Sequence, residues 1–179
     1  MQFLKIISIF FVSIFLSLSA YAAGSKSTSS DTFEGTGGRD ELSYLNVKNS
    51  NFKKGKDAIK QAKKYLKKGK KEKSIKRFND AIKYLITANK NYPDNPDILN
   101  LLGFSYRNVE DFIMAEIYYK QGLEIDQYHI GINEYLGKLY VQTNRPDLAN
   151  ERLQVLNNCN CEEFDELKEA IAGTKKSKY

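Results

Sequence analysis

The 179-residue sequence contains no tryptophan, one histidine, two cysteines and three prolines. Each scarcity removes a class of explanation. A lone His129 excludes any catalytic or metal site that needs two imidazoles. A tetrahedral zinc site built on Cys159 and Cys161 would need two further ligands, and only carboxylates such as Glu162 and Asp165 stand nearby. So few prolines favour long, uninterrupted helices over many tight turns. No Ser/His/Asp set, cysteine–histidine pair or nucleotide loop is visible, so the chain is expected to be no enzyme and to need no cofactor and no metal.

What is present describes an ordinary soluble domain with tails. The chain is 28% charged and 41% hydrophobic, and its length suits one domain. Its formal net charge of +6 is unevenly spread. Lys53 to Arg77 carries thirteen Lys/Arg against two acids, Asp57 and Glu72, so the rest of the chain is net acidic. Such asymmetry is either a solvated helix face or a dock for a polyanion or an acidic surface.

Residues 1–22 have the three parts of a secretory signal peptide. Lys5 supplies the basic start, Ile6 to Leu18 is an apolar run broken only by serines, and Ser19-Ala20-Tyr21-Ala22 ends in an A-x-A site with cleavage predicted after Ala22. The run is short for a spanning helix, which needs about 20 apolar residues. The expected location is periplasmic or secreted, which disfavours nucleic acid as a partner. Residues 23–43 read as a Ser/Gly-rich linker with little to bury. Gly35-Thr36-Gly37-Gly38 within it lacks the strand and the Lys-Ser/Thr of a phosphate loop.

The most informative pattern is internal. Leu102-Gly103-x-x-Tyr106 aligns with Leu136-Gly137-x-x-Tyr140 at an offset of 34, and the same offset relates Ala115 to Ala149. One period earlier, Phe78, Ala81, Leu85, Ala88 and Pro93 repeat the second half of the unit, whereas the first half is degenerate: Gly69 is in register but Glu72 stands where a tyrosine is expected. The first helix there is expected around Phe52 to Lys67, with a lengthened loop after it.

Period and residues resemble the tetratricopeptide repeat (TPR) family, in which helix pairs stack because no single pair can bury its apolar face. The resemblance implies an all-α, right-handed superhelical stack of about three helix pairs. Its parts would be a Lys-rich pair over residues 44–95, units over 96–129 and 130–161, a capping helix over 162–173 and a basic tail over 174–179. Small residues at Gly103, Gly137, Ala115 and Ala149 would let the two helices of a pair approach, with Tyr106 and Tyr140 filling space between neighbours. Pro96 and Pro146 should open helices, Asn144 should take a left-handed turn, and Gly173 should stop the last helix.

The family's ligands lie in the concave groove made by the first helix of each pair, so the resemblance implies an adaptor for a protein or peptide. Asn100, Phe104, Arg107 and Asn108 recur at groove spacing, and Glu134, Lys138 and Val141 are their equivalents on the next unit. Phe104 beside Arg107 is expected to be an exposed anchor. The carboxyl clamp that some TPR domains use is not evident residue by residue. Two other functions remain open. Cys159 and Cys161, in an oxidising compartment, could form a local and reducible bridge, stay as packed thiols, exchange with other thiols, pair between chains, or hold a soft ion such as Cu(I). The Lys-rich stretch could tether the protein to an anionic membrane surface. The ending Cys-Glu-Glu-Phe-Asp-Glu-Leu resembles those of small secreted bacterial TPR proteins. Its acids suit the positive end of a helix dipole. Oligomeric state is not legible.

Overall fold

A computed structural model describes residues 50–173. The expected signal peptide, the linker, residues 44–49 and the basic tail lie outside the described residues. Among the described residues no helix is long and apolar enough to cross a membrane.

Among the described residues seven helices follow one another: α1 (Ser50–Lys67), α2 (Lys71–Asn91), α3 (Pro96–Asn108), α4 (Phe112–Ile125), α5 (Ile130–Gln142), α6 (Pro146–Val155) and α7 (Glu162–Ile171). Consecutive helices pack as the pairs α1–α2, α3–α4 and α5–α6, and α1, α3 and α5 touch one another in series. Helix α7 packs on α5 and α6, where the first helix of a further pair would lie. The architecture is therefore an all-α stack of three pairs closed by a single helix.

Local chemistry sets the boundaries. Asn95 Oδ1 accepts the Ile98 N–H at 3.0 Å and Asp111 Oδ1 accepts the Met114 N–H at 3.1 Å, satisfying donors that a helix start leaves orphaned. His129 caps α5 through Nδ1, which accepts from Ile132 N–H. Its Nε2 lies 3.3 Å from Asp97 Oδ1 in the first turn of α3. One neutral tautomer, protonated at Nε2, serves both contacts. Pro96 and Pro146 occupy first-turn positions, where their missing N–H costs nothing. Asn144 and Gly173 have φ of 58° and 68°, as turn and stop residues should.

The core forms two buried clusters. Phe52, Phe78, Leu85, Ile98 and Leu102 dominate the first, and Tyr119, Ile132, Leu136 and Leu139 the second. Tyr106 and Tyr135 pack against both. Asn133, at a position where its counterpart Leu99 is apolar, is fully buried. Its amide donates to the Gln127 and His129 carbonyls.

Two expectations need correction. The first pair is not joined by a long loop. Three residues link α1 to α2, and the extra length lies in the helices, 18 and 21 residues against 13 and 14 in the second pair. Gly69 thus sits in that turn with φ +67°, although it is in register with the helical Gly103. Gly55 is instead the glycine at which α1 meets α2, where a Cβ would lie 2.7 Å from Leu85. Finally, Gly103 does receive its own pair partner, with a Cβ there falling 2.5 Å from the Tyr119 ring. Gly137, by contrast, first meets Leu167 of the capping helix at 2.6 Å. A missing side chain on α5 is what lets α7 dock.

Candidate functional site

The first helices of the pairs and the capping helix line up as α1, α3, α5, α7, and a continuous chain of contacts crosses them. Lys63 Nζ on α1 stands 4.5 Å from the Phe104 ring on α3. The Phe104 ring lies 5.0 Å from that of Tyr135 on α5. The Arg107 guanidinium is 5.6 Å from the Tyr135 ring, a favourable placement of a cation against an aromatic face. Lys138 then pairs with Glu134 on its own helix and with Glu166 Oε2 on α7 at 2.6 Å.

This arrangement revises the role of Phe104. The residue is 2% exposed, its ring covered by Phe78 of α2, by Tyr135 and by Lys63, so it is part of the floor and not an exposed anchor. Arg107 and Glu134 are buried as well. Asn100 packs toward Gly131, whose Cβ would fall 2.8 Å from its amide nitrogen. Asn108 donates to the Phe104 carbonyl, and Val141 is half-buried beside the second core cluster. Lys138 is largely covered.

Burial sets the electrostatics. It pushes the Glu134 carboxyl up to about 7, against the opposing pull of Lys138. It lowers Lys63, with Glu134 acting in the other direction, and it raises Tyr135 to about 12. Charges on three different helices thus sense one another across the floor.

Two solvent-open clefts flank it. One of about 740 Å³ runs along α1 and is lined by Lys56, Lys60, Lys63, Lys64 and Lys67 with Leu101 of α3. The other, about 540 Å³, lies under the overhanging end of the first pair, between Leu66, Lys71 and Ile75 on one side and Arg107, Asn108 and Gln142 on the other. Lys71 reaches Glu110 at 2.9 Å across it. The cleft walls on α3 and α5 are Leu101, Arg107, Asn108 and Gln142; the repeat spacing did not single out Leu101 or Gln142, nor Lys63, Tyr135 and Glu166. Leu101 and Tyr135 are themselves one period apart, so the repeat carried that signal. Lys63 and Glu166 fall outside the two well-matched units, and no repeat offset points to them.

Cys159 and Cys161 are bonded to each other in the turn between α6 and α7, both half-exposed, with Asn160 at φ +49° between them. Among the described residues no cluster of three or more His, Cys, Asp or Glu is placed to hold a metal ion.

The fold is that of a TPR domain. No protein-family model matches the chain, and no curated protein matches it. Among solved structures it is similar to the first TPR of Spaghetti (RPAP3) bound to HSP90 peptide SRMEEVD. The TM-score is 0.50 and the identity 18%, over 69% of this chain and 97% of that one.

Proposed function

We propose that this protein is an exported, non-catalytic TPR adaptor that holds an extended protein segment or peptide along α1, α3 and α5. The observation that carries the reading is the Lys63–Phe104–Tyr135–Lys138 floor, packed across α1, α3 and α5 with Phe104 buried and the other three half-buried, with a basic and partly apolar cleft open beside it. Pre-packed side chains lose little freedom when a ligand arrives, so a preformed floor favours binding. The solved TPR domain that the fold resembles is bound to a peptide, which supports the same reading. Export rests on residues 1–22, and the mature chain would begin at Ala23.

The test is site-specific photocrosslinking in the producing cell, with the reactive group at Lys60 or Gln142 in the groove and at Thr87 on the outer face of α2. The mature protein should be recovered outside the cytoplasm, crosslinked to the same partner from both groove positions and not from Thr87. A partner captured equally well from Thr87 removes the groove from the reading. A chain retained in the cytoplasm with Met1 intact removes the export.

A further inference from the structure

The groove changes sign along its length. At the α1 end, Lys56, Lys60, Lys63, Lys64 and Lys67 line the larger cleft with only Asp57 opposing them. In the middle Arg107 is buried against Tyr135. At the far end Lys138 is met by two carboxylates, Glu134 and Glu166. Glu163, three residues before Glu166 on α7 and so on the same face, is half-buried like it. A partly exposed pair of acids therefore closes a groove that begins with five lysines.

We infer that the ligand is a bipolar segment whose acidic half lies against α1 and whose basic half lies against α7. This rests on the groove reading above and names the chemistry the groove selects. Helix axes pack about 9 Å apart, so four first-position helices span on the order of 27 Å, which about eight or nine extended residues cover. A uniformly acidic segment would satisfy the lysines but bring like charge to Glu163 and Glu166. A uniformly basic one would do the reverse. Because charge and not backbone direction is complementary, the segment can run in either chain direction provided its acidic half stays on α1.

The experiment uses four synthetic ten-residue peptides with the chain beginning at Ala23: one acidic half followed by one basic half, the same halves in reverse order, one uniformly acidic and one uniformly basic. Affinity is measured at physiological ionic strength, where charges beyond about 8 Å are screened. A nitroxide on the acidic terminus reports position by broadening nearby amide signals. The bipolar peptide should bind roughly tenfold more tightly than either uniform one, a difference that several partly exposed pairs can supply. Its nitroxide should broaden Lys60 and Lys64 and spare Glu163, and a peptide with the halves in reverse order should do the same. In a Glu163→Gln/Glu166→Gln variant the advantage over the acidic peptide should disappear. Equal or tighter binding of the acidic peptide to the native groove overturns the polarity and leaves the groove reading intact. If none of the four perturbs α1, α3 or α5, both fall.

Discussion

The first helix pair and the second have the same repeat phase and are held together by different means. The second pair is short and specified at its ends: Pro96 starts it, Asn95 and Asp111 cap it, and Glu110 at φ +67° turns the chain between its helices. The first pair has no side-chain cap at Lys70, the residue that leads into α2. It relies on length and amphipathicity, with Phe52, Ala58, Ile59 and Ala62 on one face of α1 and lysines on the others. Helix α2 starts seven residues before Phe78, whereas α4 starts at Phe112, the residue one period on. Two extra turns, about 10 Å, therefore overhang the second pair and roof the smaller cleft. A repeat can vary in length without losing phase, because phase is set where helices cross and length beyond the crossing is free.

The comparison can be broken most forcefully at its matched phenylalanines. Phe78 is fully buried and touches Phe104, whereas Phe112 is half-buried. Phe78→Ala should cost about 3–5 kcal/mol, and Phe112→Ala about 1–2 kcal/mol for its smaller buried area, read from urea midpoints. Equal losses would mean that the first pair does not depend on its own core.

Charge offers the next contrast, between exposed lysines on α1 and a buried carboxylate on α5. Glu134 is raised from its ordinary value of 4.5 to about 7, so the folded chain holds this proton more tightly than the unfolded chain does. Its contribution to stability is complete below pH 4.5 and is lost as pH rises through about 7. The loss is on the order of 3 kcal/mol. Melting temperatures from pH 4 to 8 should fall across that window in the native protein and flatten in Glu134→Gln. Lys60→Gln/Lys64→Gln should leave the profile within about 0.5 kcal/mol of native. A native profile that rises with pH would show that the Lys138 pair outweighs burial.

The glycines sharpen the comparison by a smaller amount. Gly103→Ala drives a methyl toward the ring of Tyr119, which is itself fully buried and has nowhere to swing, at a cost of about 1–3 kcal/mol. Gly69→Ala meets nothing within 4 Å and loses only through its left-handed backbone, about 1 kcal/mol. Denaturation of the two variants side by side tests whether identical repeat phase implies identical role.

Much of the fold was legible because its signals are local. The offset of 34, the prolines that open α3 and α6, Asn144 in its turn and Gly173 at the end depend on neighbours in the chain, and the helices of the two regular units lie where these residues place them. Groove positions were harder. Phe104 has the spacing of an exposed residue on α3, yet Phase-matched spacing cannot reveal that Phe78, Lys63 and Tyr135 converge on its ring from three other helices.

By itself, then, the sequence determined the repeat, its phase and the distribution of charge, since each follows from residue type and separation along the chain. The tertiary structure alone decided that Gly69 turns while Gly103 packs, that Gly137 receives the capping helix, and that a groove lined with lysines at one end closes on carboxylates at the other. Those outcomes depend on which helix lies against which, and on burial that only contacts between distant residues create.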